Sequence, residues 1–256
     1  MSVLKILTAN ILGLVLSIAA LADGTVSEDI RIESKALGYA LQYRVYIPDL
    51  KYARADMPTL YVTDGFGYIE YGKLPQLLDH EIEAGTIEPV VVIFVDARSP
   101  DNLSINRRNQ QFFCNESYAK FYVDELIPTI AQNYTVSKAR QDRVILGLSF
   151  GGMNSACFGF MIPQTFGGIA MQSPANSQSL SKLSGIYDAS EKIPIKLFLS
   201  FGTIQDNILA GRRFKAVLQE KGYTMTYKEV RQNHSWKNWG PLLDDVLATF
   251  FLKNTP

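Results

Sequence analysis

A short apolar run, Arg143–Leu148, ends inside the pentapeptide Gly147-Leu148-Ser149-Phe150-Gly151 and gives way to small residues, Gly152-Met-Asn-Ser-Ala156. That order specifies a strand turning sharply into a helix, with a serine at the tip of the turn and glycines on either side where a Cβ would clash. Such a turn needs a buried parallel strand behind it and a helix packed back onto the sheet in front of it. The five-residue pattern alone is weakly specific, because glycine and serine are common. The apolar strand entering it and the small-residue segment leaving it give it weight.

The remaining chain supplies the sheet this turn requires. Thr59–Thr63, Gly168–Gln172 and residues 90–95 and 195–200 are short β-branched or apolar runs, suited to strands covered on both faces. Residues 29–34 and 41–47 alternate apolar with polar, as antiparallel strands with one wet face do, and Pro48 stops the second. Residues 117–132 repeat Phe121, Leu126, Ile127 and Ile130 at helical spacing behind an Asn115 cap. Residues 212–221 form a second helix pattern closed by Gly222, and 241–251 a third, with Leu242, Leu243, Val246, Phe250 and Phe251 on its buried side. The alternation predicts an α/β fold, a mostly parallel central sheet flanked by helices, in one domain over residues 23–256. Two stretches, 96–115 and 173–192, lack a period and read as long loops after strands, at the carboxyl edge of the sheet where ligands bind.

Charge and composition exclude several partners. Lys plus Arg and Asp plus Glu each number 25, so there is no net field toward phosphate backbones or anionic lipid, and nucleic acid is not an expected partner. Two histidines and two cysteines cannot build a Cys/His structural metal site, and no metal or cofactor is expected. Cys114 and Cys157 fit either a disulfide or two small buried hydrophobes.

Residues 1–22 carry one charge, Lys5, then an apolar stretch ending Ala20-Leu21-Ala22 before Asp23. This is the pattern of a secretory signal peptide, with a membrane anchor and a buried helix as the competing readings. Cleavage after Ala22 would place the protein in the periplasm or outside the cell, with no stable membrane span remaining.

A serine becomes a nucleophile when a base takes its proton, and histidine is the usual base. His80 lies in the helix pattern Leu77-Leu-Asp-His-Glu, where an exposed surface role is the expectation. His234 lies in the non-periodic segment Gln232-Asn-His-Ser-Trp-Lys-Asn-Trp239 after the serine, and the order Ser, acid, His makes it the candidate base. The acid must then fall between them. Asp206 follows a buried strand and is the first candidate, and Glu229, on the strand leading to His234, is the second. Asp188 and Glu191 sit in an irregular stretch, and Glu220 near the end of a polar helix. The Phe150 N–H, at the start of the helix after Ser149, is free to bind an oxyanion. A second donor is expected from the glycine-containing turn Asp64-Gly65-Phe66-Gly67. Tyr68, Tyr71, Phe112, Phe113, Trp236 and Trp239 are candidates to wall an acyl or aryl pocket, each also explicable as plain packing.

With these residues placed, the chain resembles the Putative esterase family of α/β-hydrolases, which includes enterochelin esterases, feruloyl esterases, S-formylglutathione hydrolase and mycolyltransferases. The likeness runs through Ser34-Lys-Ala-Leu-Gly38, Val45-Tyr-Ile-Pro48, Leu60-Tyr-Val-Thr-Asp-Gly65, Glu125-Leu-Ile-Pro128, Gly147-Leu-Ser-Phe-Gly-Gly152, Gly202-Thr-Ile-Gln-Asp206 and His234-Ser-Trp236. It implies the α/β-hydrolase fold, a triad of Ser149, Asp206 and His234, and an oxyanion hole made by the N–H groups of Phe66 and Phe150. One departure is Arg107-Arg108-Asn-Gln-Gln111, where relatives often have an arginine followed by an acidic residue. The expectation is an exported serine esterase that acts on a small-molecule acyl or aryl ester, of siderophore-ester or feruloyl type, through an acyl-enzyme. Acyl transfer or peptide hydrolysis on the same triad, and a non-catalytic binding protein on this scaffold, are the alternatives. Mass spectrometry of the exported protein is expected to give a chain starting at Asp23; an intact Met1 in the membrane fraction would favour the anchor.

Overall fold

The computed structural model describes residues 23–253, so the leader reading of residues 1–22 lies outside them. The chain begins with β1 (Thr25–Val26), β2 (Ile30–Ser34), β3 (Tyr39–Ile47) and β4 (Thr59–Thr63), followed by α1 (Gly65–Glu70) and α2 (Leu74–Glu83). Next come β5 (Val91–Asp96), a small hairpin of β6 (Arg98–Ser99) and β7 (Asn102–Asn106), and α3 (Arg108–Gln111), α4 (Glu116–Lys120) and α5 (Ile127–Asn133). The second half runs β8 (Arg143–Leu148), α6 (Phe150–Met161), β9 (Gly168–Gln172), α7 (Ser177–Ala189), β10 (Lys196–Gly202), α8 (Ile208–Glu220), β11 (Thr224–Val230), α9 (Trp236–Trp239) and α10 (Leu243–Phe251).

The nine-stranded sheet has the order β1-β3-β5-β4-β8-β9-β10-β11, with β2 also paired to β3. Its start is antiparallel and everything from β5 to β11 is parallel, as the alternating and the uniformly apolar runs require. The pleat sends neighbours to opposite layers. In β5, Val91, Ile93 and Val95 face a core shared with α4 to α8, while Val92 and Phe94 face a second core under α1, α2 and α10. Among the described residues no helix is long and apolar enough to cross a membrane.

Three segments depart from the sequence reading. Residues 173–192 are not a long loop: they hold α7, capped by the Asn176 side chain on the Ser179 N–H, with Leu180, Leu183 and Tyr187 buried one turn apart. Its serines hide the period. Ser181 and Ser184 bond back to carbonyls four residues earlier, so a serine-rich stretch stays helical on its wet face, and Asp188 is helical too. Residues 96–115 likewise contain the β6–β7 hairpin and α3. The helix read over 117–132 carries a π turn at Phe121–Leu126, where the Ile127 N–H reaches the Tyr122 carbonyl just before Pro128, which has no N–H to give. The helix read over 212–221 begins earlier, at Ile208, after Asn207 in the left-handed region.

Cys114 and Cys157 are joined as a disulfide, their Cα atoms 5.1 Å apart, tying the segment after β5 to α6. The link closes a loop across 43 residues of sequence separation. Replacing both cysteines by serine is therefore expected to cost about 2–4 kcal/mol of unfolding free energy in a denaturant titration. An unchanged midpoint and slope would show that the link adds no stability.

Candidate active site

The serine turn is strained and crowded. Ser149 has φ 54° and ψ −123°, a left-handed φ that a residue with a Cβ adopts only under constraint. The constraint is visible: the Ser149 N–H donates to the Gln172 carbonyl of β9 (2.8 Å), and its own carbonyl accepts from Met153 (3.1 Å) and Ala175 (3.0 Å). A Cβ on Gly147 would strike the Gly151 carbonyl group, and one on Gly151 would strike the Thr63 hydroxyl, so both glycines are steric requirements of the turn.

Ser149 Oγ lies 2.9 Å from His234 Nε2, and His234 Nδ1 lies 2.5 Å from Asp206 Oδ1. An ionised carboxylate only accepts, so Nδ1 carries the ring proton and Nε2 presents its lone pair to the serine hydroxyl. The His234 ring packs edge-on against Trp239, centroids 4.9 Å apart. Asp206 sits between Gln205 and Asn207, both in the left-handed region, and its side chain is 1% exposed. Its second oxygen, Oδ2, accepts from Ser173 Oγ (2.5 Å), the Gly202 N–H (2.6 Å) and Asn238 Nδ2 (2.9 Å).

The other candidates separate from this cluster. His80 is on α2 with its side chain 76% exposed, near Glu81 at 3.9 Å. Glu229 accepts a two-pronged bond from Arg212 (2.9 and 2.6 Å) and one from Tyr227, and the Arg212 guanidinium holds its carboxyl down at about 2. Glu220 ends α8, away from the serine turn in the chain.

The backbone N–H groups of Phe66 and Phe150 stand in the first turns of α1 and α6, and among the described residues neither donates to a protein acceptor. Asp64, left-handed at φ 57° and preceding α1, is bound through both oxygens by Arg108 Nε (2.8 Å each). Burial pushes the Asp64 carboxyl up and Arg108 opposes it. Arg108 also donates to the Leu148 carbonyl (3.2 Å), so this one side chain spans from the α1 turn to the strand under Ser149. Arg107 points elsewhere, its guanidinium 4.3 Å from the Tyr39 ring centroid.

Of the six aromatics named as pocket walls, Tyr68, Phe112 and Trp239 are buried in the cores and serve packing. Tyr71 and Phe113 are exposed, Trp236 is half-buried and packed on Tyr68 and Trp239, and Phe66, outside that set, is exposed as well. The Phe113 ring packs tilted against Phe150, centroids 4.6 Å apart, and Arg98 covers the Phe66 ring at 4.2 Å, so an aromatic ring lies beside each candidate oxyanion donor. Ser173, Asn238 and Gln172, the last bridging the Tyr68 hydroxyl to the Trp239 carbonyl, are polar residues of the site that sequence reasoning missed. Their only signal was position: Gln172 and Ser173 straddle a strand end, and Asn238 is four residues after His234. Among the described residues no group of three or more His, Cys, Asp or Glu could hold a metal ion.

A buried parallel sheet with a serine turn, a histidine and a carboxylate at its carboxyl edge is the arrangement of an α/β-hydrolase. The Putative esterase family model matches residues 34–250, and the chain belongs to that family; it is a carboxylic ester hydrolase. It is 24% identical over 238 residues to the protein YjcH of Bacillus subtilis (strain 168), covering 88% of this chain and 97% of that one. Against the endo-1,4-beta-xylanase/feruloyl esterase of Xylanibacter ruminicola it is 29% identical over 152 residues, which are 55% of this chain and 20% of that protein. The crystal structure of the enterobactin esterase FES from Shigella flexneri superposes with a TM-score of 0.76 at 19% identity, over 86% of this chain and 57% of that one, a likeness of fold.

Asp206→Asn is expected to cut turnover by about ten-thousand-fold, because Asn favours the wrong imidazole tautomer and leaves the imidazolium unsupported. Glu229→Gln, which only releases Arg212, is expected to stay within a few-fold. Steady-state rates on an aryl ester separate the two, and the reverse ranking would move the acid to β11.

Proposed function

We propose that this protein is an exported serine esterase that hydrolyses acyl or aryl esters through an acyl-enzyme, with Ser149 as nucleophile, His234 as base and Asp206 as orienting acid. The single observation that carries this reading is the unbroken line from Ser149 Oγ through His234 to Asp206, beside two N–H groups that have no protein acceptor among the described residues. Ser149 Oγ attacks the ester carbonyl as its proton passes to His234 Nε2, and the carbonyl oxygen takes the negative charge toward the Phe66 and Phe150 N–H groups. Collapse breaks the bond to the alcohol, which leaves with the proton held on Nε2. Water then repeats the two steps on the acyl-serine and returns the enzyme.

The exposed rings of Phe66, Tyr71 and Phe113 favour a flat aromatic portion of the substrate, consistent with the feruloyl and enterobactin esterase activities named for its relatives. Export is supported by the leader pattern of residues 1–22 and by the Cys114–Cys157 disulfide, a bond that persists in oxidising compartments.

A fluorophosphonate probe is expected to label the wild-type protein and not Ser149→Ala. Turnover of a short-chain aryl ester is expected to fall about a million-fold in Ser149→Ala and in His234→Ala, and to change little in His80→Ala. Ser149→Ala activity within tenfold of wild type would overturn the serine mechanism.

A further inference from the structure

Ser173 is buried at the exit of β9, one residue past the strand, with φ 45° and its N–H donating to the Ser200 carbonyl (2.7 Å). Its hydroxyl meets three groups: Trp239 Nε1 at 2.9 Å, Asn238 Nδ2 at 3.2 Å and Asp206 Oδ2 at 2.5 Å. The indole N–H only donates. The Asn238 amide nitrogen also faces the Asp206 carboxylate (2.9 Å), and the opposite amide orientation would set two acceptor oxygens against each other, so it donates too. Both lone pairs of Ser173 Oγ are therefore taken, and its single proton has one destination, Asp206 Oδ2.

We propose that Ser173 is a positioning residue for the acid of the triad, its proton aimed at Asp206 by the Trp239 indole and the Asn238 amide. The inference rests on the triad reading given above. Three donors on Oδ2 stop the carboxylate from rotating and leave Oδ1 to His234 alone. Trp239 touches His234 directly and Asp206 only through Ser173: its ring lies perpendicular to the imidazole while its N–H orders the serine behind the carboxylate. A serine that merely filled space would need neither donor, and a small apolar side chain would serve as well.

Two variants test this. Ser173→Gly removes the hydroxyl and accepts the left-handed backbone without strain. Trp239→Phe keeps an aromatic ring beside His234 and the backbone carbonyl that Gln172 uses, and removes the N–H together with part of the indole's buried bulk. For Ser173→Gly, kcat is expected to fall about ten- to a hundredfold, the weight of one hydrogen bond to a charged group, with KM within about twofold. For Trp239→Phe the fall is expected to be about three- to tenfold, again in kcat. The low-field proton resonance of the His234 Nδ1–H, assigned by its loss in Asp206→Asn, is expected to move in both variants. Both keeping kcat within twofold, or a fall in kcat with that resonance unmoved, would make Ser173 a packing residue and overturn the inference. A wild-type protein that neither turns over an ester nor takes up a fluorophosphonate would instead overturn the proposed function, and the resonance, which needs no turnover, would still report on Ser173.

Discussion

Three hydrogen bonds extend the parallel ladder beyond the ends of its strands. The Ser149 N–H donates to the Gln172 carbonyl, the Ser173 N–H to the Ser200 carbonyl, and the Thr203 N–H to the Val230 carbonyl. Each ties the first residue out of one strand to the neighbour's edge, across β8, β9, β10 and β11 in turn. Adjacent strands lie about 4.8 Å apart, so Ser149 and Ser173 leave the sheet on successive rungs, and the loops that carry Asp206 and His234 start from the next two strands. The spacing of the polar groups is thus a property of the backbone. The strained φ of Ser149 is held by the same bonds, and the glycines at 147 and 151 let the elbow close over them.

The strands were readable because a strand covered on both faces is apolar or β-branched at most positions, and Thr59–Thr63, Arg143–Leu148 and Gly168–Gln172 emerge with the bounds their composition suggests. Ser149 and His234 were readable because a glycine-flanked serine and a histidine outside any periodic element each stand out along one dimension. Helix α7 did not stand out: of its four buried positions one is a serine, Ser179, and serines bonded to their own helix disguise the rest. Ser173 and Asn238 were invisible for another reason. Each is an ordinary polar residue whose side-chain partners come from distant segments of the chain, so its role exists only once the fold brings them together. Asp206 and Glu229 were separated by the Arg212 pair on Glu229, a contact between α8 and β11 with no sequence signature. The disulfide needed Cα positions that spacing does not supply.

The segment after β5 organises the other half of the site. Arg98 lies over Phe66, Arg108 grips Asp64 and the Leu148 carbonyl, and Phe113 packs against Phe150. The arginine pair that departs from the family pattern is therefore divided in use. Arg108 joins the two turns that present the unspent N–H groups, while Arg107 packs on Tyr39 at the antiparallel side of the sheet.

That segment is fastened at both ends, by the Arg107 N–H on the Ala97 carbonyl near its start and by the Cys114 link to α6 at its finish. A rim stapled in this way is a fixed threshold instead of a hinged cover. On the proposed route the Phe113 ring beside the elbow is therefore part of a tethered wall, and discrimination among esters at that wall falls to its shape.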